Sequence, residues 1–529
     1  MDINGSPTAT IEINNFKGQN TAVQFSQIDI NQSPDMRDLI PGKTGSLKNR
    51  AGSKLVTTSP IPNPFRLFPY FKSSIRNLVA TSGVTLYKFN PNTLVWNAQT
   101  MTNNLLNADV NAVQFRDANA NEVMVIADGS SLKYFDDVAV KNITPATSDT
   151  LPLPPNALAT INSGSPAVGI TTHNNRLVIW TYRKDTIFHS KPGFYDYFPQ
   201  TSFQRWVRDS DYIQTCVSFG ASLLVFMRRH IGVLFNDGYS STPQAIDWSQ
   251  DFLDTTDGCV NPRSVQIVTY PDGSEQAFYQ TDRGVSAVVT INTMSLDSSA
   301  RFATRSVTNN KLDWNALGVT NTEWAQAISY FTDGKYWLIY YKGGVYQGLV
   351  YNTNNDEWYP VSSLAINDFY ADETGFYFIG SEGHLHKFDP TLTKDYTDYA
   401  MTTGINVNWY WYSKLMNPQM TGFNHFWDIL MIEAQQFLNP STIDIEVNTA
   451  NDQFSLKNAI KTSIMVVGVS VIGDAQIANT LLTDIVNNAK RVRMFVVGQY
   501  CQIKLSSDRG EPVELFDIKI ETRPQQTYG

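Results

Sequence analysis

The sequence predicts an all-β protein, in which a six- or seven-bladed β-propeller is joined to a β-sandwich or barrel platform. Three observations lead to this fold class. A hairpin pattern recurs through the middle of the chain, helical periodicity is nearly absent before about residue 475, and strands near the C-terminus alternate between apolar and polar residues. With 529 residues, 42% of them hydrophobic, the chain can bury a large core in more than one unit.

Seven copies of the hairpin pattern make up the repeat. Each copy has a short apolar strand, a polar turn, and a second strand that usually ends in an aromatic residue. The copies begin at Asn77, Glu122, Asn175, Ala221, Gln276, Lys335 and Gly375, and the aromatic residues include Phe89, Phe135, Phe188, Phe235 and Phe388. Turn pairs such as Asp128-Gly129 and Glu382-Gly383 supply the positive φ angles that tight hairpins need.

The starts of these copies lie 40 to 59 residues apart, which matches propeller blades of four strands each. We therefore assign residues 61–400 to the propeller. Residues 1–60 form an N-terminal connecting segment that is part of the platform, and residues 401–529 form a C-terminal β-rich platform domain. Within the latter, alternation places Val407, Trp409 and Trp411 on one face of a strand. One short helix is expected at Asp474–Lys490.

Charge and composition narrow the classes of function. The chain has 40 basic and 49 acidic residues, a formal net charge of −9, with no long run of either sign. This balance argues against tight nucleic-acid binding, which needs clustered lysine and arginine. Only 17% of the residues are charged, which favours large protein–protein contacts. The start of the chain has no apolar core, so no signal peptide is expected.

Candidate catalytic and metal-binding residues are sparse. Cys216, Cys259 and Cys501 are far apart and form no CxxC pair, which argues against a disulfide framework or a zinc site and favours a reducing compartment. His384 and His386 lie two residues apart, and we place them on one face of a strand as structural residues, since zinc takes three or four ligands. Neither a GxSxG elbow nor a GxxxxGK[ST] loop occurs. We predict no enzyme activity, no catalytic or metal-ligating residue and no cofactor.

Both ends of the chain carry a family resemblance. The N-terminal elements are Phe16, Gly18 and Asn20, then the QSPDM run with Ser33, Pro34 and Asp35, then Gly45, Leu47, Arg50 and Gly52. The C-terminal element is the stretch GQYCQIKLSSDRGEPVELFDIKIE, Gly498–Glu521. Together with the hairpin repeat, these segments resemble the tail nozzle, or packaged-DNA stabilisation, proteins of short-tailed bacteriophages. The middle of the chain matches that family by architecture only.

This resemblance implies a structural virion protein of the phage tail. Such a protein forms a hexameric ring below the portal and adaptor, extends the DNA channel, and helps to retain DNA until ejection. The implied partners are further copies of the chain, the portal and adaptor proteins, other tail proteins, and genomic DNA that passes through the lumen without sequence-specific binding. The protein would assemble in the host cytoplasm and reside in the virion tail, with no membrane span. The motif residues from Phe16 to Arg50 would form its assembly segment.

Two alternatives stay open at this point. The apolar stretch Ser463–Gly473, with Val467, Val469 and Val471 alternating, is too short to span a bilayer as a helix. It is either a buried strand of the platform or a channel or interface segment that constricts the tail axis. The whole chain could also be a receptor- or carbohydrate-binding propeller of a phage tail. In that case its aromatic residues, 12% of the chain, should form exposed platforms rather than recur at equivalent packing positions.

Overall fold

The computed structural model describes residues 9–24, 26–42, 45–146, 155–235, 248–253, 255, 257–291, 301–362, 365–418, 424–435, 441–449, 453–462 and 488–524. Strands dominate these residues. The only helices within them are α1 (Leu158–Gly164), the four-residue α2 (Asn321–Trp324) and one 3₁₀ turn at Pro262–Ser264. The described strands form nine sheets, seven arranged as a ring and two as a sandwich. The predicted all-β fold class is confirmed.

The N-terminal segment contributes five short strands. They are β1 (Ala9–Asn14), β2 (Met36–Arg37), β3 (Leu39–Pro41), β4 (Leu47–Asn49) and β5 (Gly52–Leu55). The first four belong to the sandwich, whereas β5 pairs with the seventh sheet of the ring. The N-terminal segment therefore serves both units, and its platform portion ends before Gly52.

The ring is built from sheets that follow one another along the chain and are antiparallel except for two pairs, Thr100–Met101 with Ala139–Asn142 and Lys394–Tyr396 with β5. Sheet one contains β6 (Pro64–Lys72), β7 (Ile75–Ser82), β8 (Thr85–Asn90) and β9 (Val95–Ala98); sheet two contains β10 (Thr100–Met101), β11 (Asn111–Arg116), β12 (Glu122–Ala127), β13 (Lys133–Phe135) and β14 (Ala139–Asn142). Sheet three contains β15 (Ala167–His173), β16 (Arg176–Thr181), β17 (Thr186–His189) and β18 (Phe203–Arg205); sheet four contains β19 (Ile213–Phe219), β20 (Ser222–Met227), β21 (Ile231–Phe235) and β22 (Ser249–Phe252).

Three further sheets complete the ring. Sheet five contains β23 (Gln266–Thr269), β24 (Glu275–Thr281), β25 (Gly284–Thr290) and β26 (Phe302–Ser306); sheet six contains β27 (Ile328–Thr332), β28 (Lys335–Lys342), β29 (Val345–Asn352) and β30 (Glu357–Ser362). Sheet seven contains β31 (Ile366–Asp372), β32 (Gly375–Gly380), β33 (Leu385–Asp389), the early strand β5, β34 (Lys394–Tyr396) and β35 (Gly404–Asn406). Strand β31 contacts β6 of the first sheet, so the ring closes.

Each predicted hairpin forms the second and third long strands of one sheet, as β7–β8 do in sheet one and β32–β33 in sheet seven. Their apolar runs are continuous because these strands are covered on both faces. Every residue of β16 and β20 is buried. Separate hydrophobic clusters fill the spaces between neighbouring sheets; one joins Tyr70 of sheet one to Phe135 of sheet two, and another joins Ile379 of sheet seven to Leu78 of sheet one. Closing the ring in this way protects the sheet edges.

The sandwich draws its strands from both ends of the chain. Its C-terminal strands are β36 (Trp409–Tyr412), β37 (His425–Ala434), β38 (Ser441–Thr449), β39 (Gln453–Thr462), β40 (Asn488–Gly498), β41 (Cys501–Ser507) and β42 (Glu514–Pro524). One sheet has the order β3-β4-β42-β37-β40, with β1 also paired to β42, and the other has the order β2-β36-β41-β38-β39. Burial alternates along β41 and along β38 up to Asn448, as the sequence pattern predicts. Trp409 and Trp411 are buried in the sandwich core, whereas Val407 is buried but precedes β36.

Two sequence expectations need correction. The helix expected at Asp474–Lys490 is wrong at its end, because residues Asn488–Lys490 are the first three residues of strand β40. This strand continues into the alternating apolar residues that come next in the sequence. The rest of that helix lies outside the described residues. His384 is not on a strand with His386, because β33 begins at Leu385 and His384 belongs to the preceding turn.

Candidate functional site

The candidate functional site is the assembly segment, defined by the motif residues between Phe16 and Arg50. It runs along the junction of the sandwich with sheets six and seven. Within the described residues it contacts both units through its backbone and its side chains. The predicted residues are therefore brought together in one continuous seam, although they make different kinds of contact along it.

Two apolar side chains anchor the segment in the sandwich core. The Phe16 ring is 1% exposed and meets Trp411 edge to face, with 5.6 Å between ring centroids. The backbone N–H of Phe16 donates to the carbonyl of Gly45 at 2.7 Å. Leu47 is fully buried opposite Leu515 of β42, so this part of the segment is core rather than a surface strap.

Glycine is required where the segment crosses sheet six. A Cβ atom at Gly18 would lie 2.3 Å from the carbonyl oxygen of Trp358, which is backbone and cannot move aside. The neighbouring N–H of Gln19 donates to that same oxygen at 2.8 Å. Gly45 has a different requirement, since its φ of +80° lies in the left-handed region. Gly18 is therefore required by a close backbone contact, and Gly45 by its backbone conformation.

A buried hydrogen-bond network holds the middle of the segment. The backbone N–H of Asn20 donates to the Ser33 carbonyl at 2.8 Å, and its side-chain amide donates to Gln32 Oε1 at 2.9 Å and to the Asn310 carbonyl at 3.2 Å. Gln32 in turn donates to Glu357 Oε1 at 3.0 Å. Burial raises the pKa of Glu357 above its ordinary value. The network therefore connects the segment to sheet six and to the loop after sheet five.

The Ser33-Pro34-Asp35 run connects the segment to the sandwich. The fully buried Ser33 hydroxyl lies 2.8 Å from the Tyr412 carbonyl and 2.6 Å from the Asp35 carbonyl. The Pro34 carbonyl accepts a hydrogen bond from the side chain of Gln19 at 3.0 Å. Asp35 accepts one from the Tyr410 hydroxyl at 3.1 Å, and its backbone carbonyl accepts from the N–H of Tyr412 at 3.0 Å. This run thus fixes β2 beside β36.

Arg50 lies where the sandwich, sheet six and sheet seven meet. Its guanidinium binds Asp395 of β34 with two bonds, at 2.6 and 3.1 Å, and Asp38 with one at 2.8 Å. It also donates to the Ser362 hydroxyl at the end of β30, at 3.2 Å. All three charged residues are at most 4% exposed. Burial opposes the charge of Arg50, but the two carboxylates outweigh it and raise its pKa above the ordinary value.

Sequence reasoning missed the partners of Arg50. Asp38 has a φ of +57°, which turns its carboxylate toward both Arg50 and the backbone N–H of Ser362. Asp395 is 345 residues away from Arg50 along the chain, and no local pattern connects the two. A lone Asp in a turn and an Asp on a short strand are common in any chain. Only the folded arrangement shows that these residues form one buried ion network.

The arrangement has the chemistry of a structural joint. Its polar groups are bonded to one another, and among the described residues no cluster of three or more His, Cys, Asp or Glu side chains is suited to hold a metal ion. His384 Nδ1 lies 3.1 Å from the Thr57 carbonyl, and the His386 ring stacks on Phe378 with 4.7 Å between centroids. Cys216, Cys259 and Cys501 are buried thiols, and burial raises the pKa of Cys259 to about 12.

Two remaining predictions concern membranes and the axial segment. None of the helices in the described parts of the chain has the length and apolarity needed to span a bilayer. Val467, Val469 and Val471, the possible channel or interface segment, lie outside the described residues. Their role stays a prediction.

Comparisons with known proteins give distant structural likenesses. No family model matches the chain, and no curated protein matches it. Among solved structures, BamB from Moraxella catarrhalis is 9% identical with a TM-score of 0.36, covering 64% of this chain and 98% of that one. The N-terminal domain of Nup159 is 8% identical with a TM-score of 0.34, covering 70% and 98%. An exo-β-1,3-galactanase from Phanerochaete chrysosporium is 10% identical with a TM-score of 0.26, covering 89% and 100%.

At these identities and TM-scores, none of the likenesses carries an argument about activity, substrate or partner.

Proposed function

We propose that this chain is a structural protein of a phage tail, which forms a hexameric ring that extends the DNA channel below the portal and adaptor and helps to retain DNA until ejection. The observation that supports this most is the seam itself. Most of the residues on which the family resemblance depends are buried where the sandwich meets the ring, whereas Gly45 is half-buried and Asp35 is exposed. The buried residues are Phe16, Gly18, Asn20, Ser33, Pro34, Leu47 and Arg50. A motif in this position has a structural role, because it holds the sandwich against the ring of sheets. A subunit that assembles into a larger ring needs such a rigid joint between its two units.

The edges of the sandwich support an assembling subunit. Among the described strands, β39 ends one sheet and β40 ends the other, and each pairs on one side only. Open strand edges are a route to pairing with another chain. In a head-to-tail arrangement, each copy contacts the next through two different surfaces. Six copies related by rotation would then form a closed ring. Portal, adaptor and other tail proteins would then contact the ends of the ring.

The net charge of the chain fits a DNA channel better than a protein that binds nucleic acid tightly. The chain carries nine more acidic than basic residues. A net negative wall repels phosphates and lets genomic DNA pass without sequence-specific binding. In this proposal the protein assembles in the host cytoplasm, resides in the virion tail, and has no catalytic role.

Electron microscopy of particles carrying the protein tests the proposal. We expect a sixfold ring of this chain in the tail below the portal. A variant lacking residues 9–48, which keeps the ring strand Gly52–Leu55, should fold its ring of sheets yet be absent from particles. A full-length protein found outside the tail, or normal incorporation of the truncated variant, would contradict the proposal.

The alternative of a carbohydrate- or receptor-binding propeller requires exposed aromatic platforms. Phe135 and Phe235, which recur at equivalent positions of the repeat, are at most 3% exposed. Phe89 packs on Trp96 with 5.5 Å between ring centroids. These side chains contribute to packing within and between sheets. They therefore do not form the exposed aromatic platforms that a carbohydrate- or receptor-binding propeller would need.

A further inference from the structure

A cleft of about 930 Å³ opens where sheets six and seven meet the first strands of the sandwich. Its floor is a triangle of aromatic rings, Trp337, Phe376 and Phe388. The ring centroids of Phe376 and Phe388 lie 5.0 Å apart, and that of Trp337 lies 5.6 Å from Phe388. The walls come from β4, from the turn before β28 and from residues 512–514. The volume falls within the range of ligand-binding clefts.

The cleft is lined by three lysines, Lys48, Lys335 and Lys387. Within the part of the chain that the structure describes, none of them forms an ion pair. The Lys387 ammonium lies 5.5 Å from the centroid of the Tyr377 ring, and that of Lys335 lies 3.4 Å from the Asp333 carbonyl oxygen. Burial lowers the pKa of Lys335; nearby Asp333 opposes this effect and Lys48 adds to it.

Two of the three carboxylates that line the cleft are already bound elsewhere. Asp389 accepts from Lys54 at 2.8 Å and from Thr391 at 2.6 Å, and these bonds lower its pKa to about 2. Glu514 accepts from the Ser46 hydroxyl at 2.5 Å. The neutral hydroxyl leaves the negative charge of Glu514 in place, so Asp333 and Glu514 together offset two of the three ammonium groups. The cleft therefore presents an excess of positive charge above an apolar floor.

We propose that this cleft binds an acidic peptide segment of a partner protein, with an apolar side chain on the aromatic rings and carboxylates at the lysines. Charged hydrogen bonds between ammonium and carboxylate are stronger than neutral ones, and an apolar anchor adds burial. The inference goes beyond the proposed function and stands independently of it, because the cleft would accept an acidic segment from any partner.

Other occupants fit the cleft less well. A nucleic-acid strand needs basic residues along an extended path, whereas this chain is net acidic and the three lysines are confined to one cleft. A neutral sugar would leave the three ammonium groups without an anionic partner. A free inorganic anion would leave the apolar floor unused.

Fluorescence anisotropy with a labelled hexapeptide of alternating glutamate and phenylalanine tests the proposal on the full chain. We expect saturable binding that weakens by about tenfold or more in the double variant Lys48→Glu/Lys335→Glu, because both ammonium groups are lost and charges are reversed. The matched control is Lys184→Glu/Lys457→Glu, which makes the same change in net charge at exposed lysines elsewhere. It should bind within about twofold of the parent protein, apart from long-range effects that salt screens.

Three results would overturn the proposal. The first is no saturable binding of the peptide up to about 1 mM. The second is equal binding of a glutamate/alanine hexapeptide, which would mean that the aromatic floor is not used. The third is binding of a hexathymidylate, but not of the peptide, that the double variant abolishes; this would identify a phosphate site. If Lys48→Glu/Lys335→Glu has a lower melting temperature than the parent protein, the variant Lys48→Gln/Lys335→Gln is used in its place. That variant must also lose peptide binding.

Discussion

The ring and the sandwich are both built mainly from antiparallel strands, but they use the chain in opposite ways. Sheets one to six of the ring are each formed by consecutive residues, joined mostly by short turns. The sandwich instead pairs β1 with β42 and β2 with β36, strands that lie more than 370 residues apart in the sequence. Six of the seven ring sheets are therefore assembled from local contacts, and sheet seven takes only the short strand β5 from the N-terminal segment. The sandwich, in contrast, exists only when both ends of the chain meet.

This difference predicts that the two units respond differently to damage. Changes in the assembly segment should loosen the sandwich and its junction, while most of the ring stays protected. Hydrogen exchange distinguishes the two, because β42 (Glu514–Pro524) reports on the sandwich and β20 (Ser222–Met227) on the ring.

Replacing Arg50 by methionine should have the largest effect. It leaves Asp38 and Asp395 buried without a cation, which costs about 4 kcal/mol of unfolding free energy. Urea denaturation measures this loss, and exchange at β42 should rise more than at β20. Arg205→Met is the control, since its ion pair with Asp185 is largely exposed and is worth at most about 1 kcal/mol. Equal losses in the two variants would show that the buried network does not join the units.

Truncating Phe16 to alanine should cost about 3 kcal/mol, because its buried ring fills the sandwich core against Trp411. The matched change in the ring is Phe203→Ala, where the side chain is 48% exposed, and this should cost well under about 1 kcal/mol. Thermal melting of both variants gives the comparison. A small loss for Phe16→Ala would mean that the segment rests on the sandwich without contributing to its core.

Adding one methyl group at Gly18 should cost about 2 kcal/mol, since it forces the segment away from the Trp358 carbonyl. Gly164→Ala is the control, because no atom of the described residues beyond its own helix lies within 4 Å of the added carbon and the backbone needs no positive φ there. Its stability should change by less than about 0.5 kcal/mol. If both glycines tolerate alanine, the contact between the segment and sheet six is not tight in solution.

The ring should have its own weakness, at low pH. His189 is fully buried with neither ring nitrogen hydrogen-bonded among the described residues, and burial, with Arg176 and His173 adding to it, holds its pKa well below the ordinary value. Burial also lowers the pKa of His173 to about 4. In the unfolded chain these histidines bind protons below about pH 6.5, whereas in the folded ring they stay neutral to lower pH. Their contribution to the free energy of unfolding is therefore complete above about pH 6.5 and is lost as the pH falls toward about 4.

His189→Leu removes one of these protons and should reduce the loss at about pH 5.5 by roughly 1 kcal/mol. Urea denaturation at about pH 7.5 and 5.5 measures this difference. An unchanged pH dependence in the variant would assign the loss to other groups.

The sequence predicted the ring far better than the seam. The hairpins were visible because each central strand lies between two neighbouring sheets and reads as an apolar run, as Ser222–Met227 does. The alternation of Trp409 and Trp411 likewise revealed one face of the sandwich. In contrast, the buried ion network joins Arg50 to Asp395, 345 residues away along the chain. The pairing of β5 with β33 was also hidden, because a four-residue strand near the N-terminus carries no sign of its distant partner.

We propose that the two chain ends build a platform through which copies of this protein assemble into a ring. Light scattering of the purified chain, alone and mixed with the adaptor ring of the same tail, measures the oligomeric state. We predict a hexamer in at least one of the two conditions, since ring contacts that need a template would form only with the adaptor. A strict monomer in both conditions would contradict the proposed assembly.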